Sequence, residues 1–220
     1  MIVQVLTERD KKIIVLINRF GYLTATQVAR AMRMSQRVAY RRLQKLTERR
    51  YLTHRRILAG QPGIYTVTAT GREEINAELG RFTVRLQTLP HNLVVADVAL
   101  VLLERYPGLV WVTERELRRE AGQRFGFGQN IHVPDGVLIL PNGKRIAVEV
   151  EVTAKEKRRV EKIMRGYLRN ADYAEVWYFC RTPRQVERVK EVAKGYDFVK
   201  AFALKDVLTA EGAEKAQEAF

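Results

Sequence analysis

One cysteine, three histidines and six prolines are all that 220 residues hold of those types, and each shortage narrows what the chain can do. A single Cys180 excludes an internal disulfide and any cysteine-rich zinc site; lying in the apolar run Val176 to Cys180, it is expected to be a small buried hydrophobe. With so few His and Cys side chains, the usual zinc and thiol chemistries have little material. No Walker-type phosphate loop, Gly-x-Ser-x-Gly elbow or His-Glu-x-x-His helix occurs. No apolar run is long enough to span a bilayer, and Met1 to Lys12 lacks the plan of a signal peptide, so no membrane partner and a cytoplasmic location are expected.

What the chain has in excess is positive charge. Lys and Arg outnumber Asp and Glu by 39 to 25, a net +14 with a sequence pI near 10.1, which calls for a polyanionic partner. The excess is uneven: residues 1–88 hold 17 basic against 6 acidic residues, and residues 89–220 hold 22 against 19. The hydrophobic fraction of 46% is that of an ordinary cored protein.

The first part reads as three helices and a hairpin. Thr7 is placed to cap a helix carrying Ile13, Ile14, Leu16, Ile17 and Phe20 at helical spacing and ending at Gly21. Thr24 caps a second, with Val28, Ala29 and Met32 inward, before Arg33-Met34 turns the chain. Ser35 caps a third. There Ala39, Leu43 and Leu46 step along one side, while Arg37, Tyr40, Arg41 and Gln44 share another at i, i+3, i+4 and i+7. Arg can bond guanine bidentately, Gln adenine, and Tyr a phosphate or a thymine methyl. Arg42, Lys45, Arg49 and Arg50 flank that face and suit phosphates. Tyr51 to Leu58 and Ile64 to Thr68 alternate like strands around Ala59 to Gly63, and bring Arg55 and Arg56. From Arg33 to Arg56 there are nine basic residues and one acid, Glu48; without an anion nearby they repel one another. Residues 7–68 resemble the winged helix-turn-helix domains of bacterial DNA-binding proteins, which implies double-stranded DNA as partner, contacted through Arg37, Tyr40, Arg41, Gln44, Lys45, Arg49, Arg50, Arg55 and Arg56.

Thr70-Gly71 introduces a short helix from Arg72 to Leu79, and Gly80 to Pro90 is the best candidate for a linker, giving a first domain over 1–85 and a second over 86–220. The second begins with a helix from His91 to Tyr106. Then come a strand (Leu109 to Thr113), a short helix (Glu114 to Glu120) and a loop (Ala121 to Asn130), whose Arg124, Phe125 and Phe127 suit nucleic acid, although loop aromatics more often anchor a loop to the core. After the acidic stretch below follow a helix (Lys155 to Ala171) with a basic stripe of Arg158, Lys162, Arg165 and Arg169, a strand (Glu175 to Cys180), a helix (Pro183 to Lys194), a strand (Phe198 to Leu204) and a last helix from Asp206. Strands alternating with helices predict a mixed α/β sheet covered on both faces.

Between His132 and Lys155 lies the stretch that carries acids. Val137 to Leu140 and Ile146 to Val152 flank Pro141-Asn142-Gly143, a hairpin signal. Asp135 opens the first strand. Glu149 and Glu151 share one face of the second, with Val148, Val150 and Val152 on the other. Pro134-Asp135 followed by Glu149-Val150-Glu151 and a helix looks like the PD-(D/E)xK nuclease superfamily. That resemblance implies a restriction-endonuclease-like α/β domain in which Asp135 and Glu149 hold Mg²⁺ and a third residue serves the attacking water. The third residue is normally Lys; here it is Glu151, with Lys155 nearby as another source of charge.

Taken whole, the basic winged domain, the His91-led helix and the Pro-Asp/Glu-x-Glu hairpin resemble the bacterial replication-relaxation family of plasmids and integrated mobile elements. The resemblance implies DNA binding in plasmid replication or transfer, with a nuclease-like second domain. A Mg²⁺-dependent endonuclease or nickase acting near the bound site is the alternative. A replication or mobilisation protein is a further expected partner, and a homodimer is left open.

Overall fold

The computed structural model describes residues 6–57, 60–128, 131–153, 157–168 and 172–208. The chain is a mixed α/β protein with two sheets, and it divides into two compact units, Met1–Ala96 and Asp97–Phe220. The division lies beyond the expected linker because that segment is tied to the first unit. Phe82 packs against Tyr22 with ring centroids 5.6 Å apart and the rings tilted by 59°, Leu89 is buried in a cluster with Tyr22 and Ile64, and Gln27 Nε2 donates to the Leu93 carbonyl at 2.9 Å.

In the first unit α1 (Glu8–Phe20) starts at a capping box: Thr7 accepts from the Asp10 backbone and the Asp10 side chain answers. Ile13, Ile14 and Ile17 are fully buried, and Gly21 ends the helix at φ 84°. Leu23 and Thr24 form β1, a strand too short to show in the sequence pattern. Thr24 also makes a capping box with Gln27 at the head of α2 (Ala25–Ala31). Arg33, at φ 47°, turns the chain into α3 (Gln36–Glu48), capped by Ser35. Ala39, Leu43 and Leu46 are its buried face.

The chain then forms β2 (Leu52–Arg55) and β3 (Ile64–Val67), antiparallel with Leu52 opposite Val67. β1 adds to the other side of β3, giving the order β1-β3-β2. The next helix, α4 (Ala69–Glu74), begins at Thr68 rather than at Thr70-Gly71. The Thr68 hydroxyl accepts from the Gly71 backbone at 3.0 Å and donates to the Arg50 carbonyl at 2.6 Å. Gly71 is needed for closeness: a Cβ there would lie 2.2 Å from the Tyr51 carbonyl oxygen.

α5 (Leu89–Arg105) runs across the boundary between units. The second unit continues with β4 (Val110–Thr113), α6 (Glu114–Phe125), β5 (Gly136–Ile139) and β6 (Arg145–Glu151). After these come α7 (Lys157–Leu168), β7 (Glu175–Cys180), α8 (Pro183–Val192), β8 (Val199–Ala203) and α9 (Leu204–Leu208). The sheet order is β4-β5-β6-β7-β8. β4, β5 and β6 pair antiparallel, while β6, β7 and β8 pair parallel through the crossovers α7 and α8. Six successive buried residues on β6 mean that both its faces are covered. α6 runs five residues beyond the expected Glu120, and at Gly122 the Phe127 ring lies where a Cβ would meet it at 2.5 Å. Among the described residues no helix is long and apolar enough to cross a membrane.

Candidate nucleic-acid interface

Helical spacing divides α3 cleanly. Opposite its buried Ala39, Leu43 and Leu46, the side chains of Arg37, Tyr40, Arg41, Gln44 and Lys45 are exposed. Tyr40 is 49% exposed, a large ring left in water on a face otherwise made of cations and an amide. Gln44 Nε2 rests on Glu48 Oε1 at 2.9 Å, a surface bond that a base edge can replace at little cost. Past the helix end, Arg50 is exposed at φ 60°, and Arg49 lies over the Tyr51 ring at 5.3 Å. On the hairpin, Arg55 and Arg56 are exposed. Between α3 and the hairpin is a cleft of about 420 Å³ lined by Tyr40, His54, Arg56 and the Gly60–Gly63 turn.

Two residues of this region have structural work. Arg42, grouped by sequence with the phosphate-facing cations, instead pairs with Asp10 on α1 at 2.8 Å, the side chains being only 28% and 15% exposed. Burial opposes ionisation of Asp10, but hydrogen bonds from Thr7 and Arg42 outweigh it and hold the carboxyl below its ordinary range. His54 stacks on Tyr65 with centroids 4.5 Å apart and covers Gly63, where a Cβ would lie 2.0 Å from its Nε2; it braces the hairpin.

In the second unit the acids behave differently from one another. Asp135 Oδ2 accepts the Val150 backbone N–H at 2.7 Å, extending the β5–β6 contact one step beyond the ladder. Glu149 and Glu151, on one face of β6, are 2% and 3% exposed. Two protein donors meet at one oxygen of Glu149: the Tyr167 hydroxyl of α7 at 2.5 Å and His132 Nε2 at 2.7 Å. The same His132 nitrogen is 3.3 Å from the Tyr167 oxygen, and the rings meet edge to face. Burial first, and then the Glu149 charge and hydrogen bond, push the Tyr167 hydroxyl well above its usual range, so it stays a donor. Tyr178, opposite Glu149 on β7, is also pushed up by burial and by Glu149 and Glu151.

As the protein stands, Asp135 and Glu149 are engaged by protein donors. Mg²⁺ takes one or two carboxylates and fills the rest of its shell with water and phosphate; here one Glu149 oxygen is held by Tyr167 and His132, and one Asp135 oxygen by a backbone N–H. Among the described residues no group of three or more His, Cys, Asp or Glu side chains is placed to hold a metal ion. Lys155, the other expected catalytic residue, lies outside the described residues, as does Arg169 of the basic stripe; Arg158, Lys162 and Arg165 of that stripe are exposed on α7. Sequence reasoning gave His132 and Tyr167 no role at the acids. Separations of 17 and 18 residues from Glu149 leave no local signal.

The fold and its exposed basic helix define a mixed α/β protein with a cationic face on its first unit. The chain belongs to the replication-relaxation family, whose model matches residues 14–183. Two solved structures are distantly similar. The adhesin competence repressor AdcR of Streptococcus pyogenes is 17% identical, with a TM-score of 0.31 over 59% of this chain and 85% of that one. PigF with SAH is 10% identical, with a TM-score of 0.19 over 90% of this chain and 62% of that one. Neither likeness is close enough to carry an argument. Among curated proteins none matches the chain.

Proposed function

We propose that the chain is a double-stranded DNA-binding protein of plasmid or mobile-element replication or transfer. Its first unit acts as a winged helix-turn-helix and its second is a nuclease-like α/β domain. The observation that carries this is the α3 face: five polar or cationic side chains exposed in helical register over a fully buried apolar stripe. Arg37, Tyr40, Arg41 and Gln44 enter a major groove and read base edges, with Arg41 the foremost candidate for a guanine. Lys45, Arg49, Arg50, Arg55 and Arg56 neutralise phosphates along the helix end and hairpin.

A gel-shift series on a selected duplex site tests the assignment. Arg41→Ala is expected to cost about 1–3 kcal/mol on that site and to relax base preference, whereas Arg50→Ala lowers affinity on every sequence and reduces the salt slope by about 1. Unchanged affinity in both variants refutes it. The alternative, a Mg²⁺-dependent endonuclease or nickase, would place the cation on the remaining oxygens of Asp135 and Glu149, with Glu151 and Lys155 completing the site. Supercoiled plasmid incubated with the protein and Mg²⁺ or Mn²⁺ is expected to stay intact; nicking that is lost in Asp135→Ala would establish the alternative.

A further inference from the structure

α6 ends in a cluster that duplex binding by the first unit does not explain. Loop aromatics normally close over a core, yet Phe125 is 52% and Phe127 79% exposed. Phe127 covers Gly122 with one face. The Arg124 guanidinium lies over Phe125, 4.9 Å from its centroid. Phe125 and Arg124 line a cleft of about 270 Å³ with Arg145, His132 and Tyr173. Arg145 Nε is shielded from water and has no hydrogen-bond acceptor among the described residues, while its guanidinium approaches Glu120 no closer than 3.9 Å.

We propose that this cleft binds one unpaired nucleotide of a single DNA strand, its base stacked on Phe125 and its phosphodiester held by Arg124 and Arg145. Charge selects this ligand over a free polyphosphate. Glu120 and Asp172 also line the cleft, Asp172 at 3.4 Å from Arg124, so two cations face two anions. That balance tolerates one phosphodiester charge and repels several. Paired bases bury their π-faces in the stack, so flat exposed rings recognise a base only when it is unstacked. The site lies wholly in the second unit.

The test uses the full chain carrying Arg37→Ala and Arg41→Ala, so that strands held by the first unit do not mask the cleft. Fluorescence anisotropy follows a labelled mixed-sequence 12-nucleotide single strand, the same strand made wholly abasic, and its duplex. Phe125→Ala is expected to weaken the normal strand about 5- to 160-fold, the range for one base on one aromatic, and to leave the abasic strand and the duplex unchanged. Phe125→Tyr, which keeps the ring, restores binding. Phe125 is half-exposed, so its truncation leaves the fold intact, which an unchanged urea midpoint checks. Equal binding of normal and abasic strands overturns the proposal, as does an unchanged affinity in Phe125→Ala or an equal loss on the duplex. The gel-shift series on Arg41 and Arg50 succeeds or fails independently of these outcomes.

Discussion

Removing the Tyr167 hydroxyl tests whether Glu149 is held by its protein donors. Tyr167→Phe keeps the ring, 6% exposed, and deletes one of two hydrogen bonds on a carboxylate that is 3% exposed at its side chain. Hydrogen bonds to charged groups contribute about 1.5–3 kcal/mol. No cavity forms, because only an oxygen leaves, so the expected loss is about 2 kcal/mol. With a urea m-value of about 2 kcal/mol/M for a unit of this size, the unfolding midpoint falls by about 1 M. The assay is selective. Both tryptophans, Trp111 and Trp177, lie in the second unit on β4 and β7 and are 2% exposed, so their fluorescence reports the unit that carries Glu149. In a Glu149→Gln background the same change should cost about 1 kcal/mol, since a neutral acceptor replaces a charged one. A Tyr167→Phe midpoint equal to wild type, or an identical cost in both backgrounds, would refute the reasoning.

Three other outcomes follow from the same geometry. Asp10 has a carboxyl held below its ordinary range, so its contribution is present above the unfolded value and is lost as pH falls through the lower folded one; acid titration followed by circular dichroism should show that Asp10→Asn flattens the loss of stability below about pH 4. Gly136→Ala would set a Cβ 2.0 Å from the Trp111 ring. It should cost about 3 kcal/mol and red-shift the emission of the displaced Trp111, and unaltered emission argues against the packing. Adding millimolar Mg²⁺ should leave the urea midpoint of the second unit unmoved, because the Glu149 and Asp135 oxygens are held by protein donors; a midpoint that rises in wild type but not in Glu149→Gln would show that the cation displaces them.

Local features of the fold were legible in the sequence. Thr7, Thr24 and Ser35 each begin the helix their side chains suggest, Gly21 stops α1 with the positive φ that only glycine adopts readily, and β7 spans the residues its apolar run marks. These are choices settled within four residues. β1 was not legible, since two residues carry no periodicity and pair with β3 only through long-range contact. Nor was the fate of Arg42, whose partner lies 32 residues earlier: a cation's sequence neighbourhood says how much charge is present, not which charge is already spent. For the candidate site, alternation on β6 placed Glu149 and Glu151 on a common face, and the helical wheel gave the exposed set on α3. Alternation does not say what covers a face. Tyr167 arrives there from α7 as the donor that holds Glu149, and His132 comes from the segment before β5.

β6 has a consequence for the rate at which the protein comes apart. It is the seam of its sheet, antiparallel to β5 across a short turn and parallel to β7 only after α7 has crossed over. Hairpin pairing closes a small loop and forms early, whereas the crossover closes a larger one and comes later. While only the hairpin exists, Glu149 is solvated; it loses water when α7 docks with Tyr167. Dehydration and its compensating hydrogen bond therefore fall on the native side of the folding barrier. Tyr167→Phe is accordingly expected to speed unfolding and to leave the refolding rate nearly unchanged, which makes one hydroxyl a clasp on the lifetime of the native state.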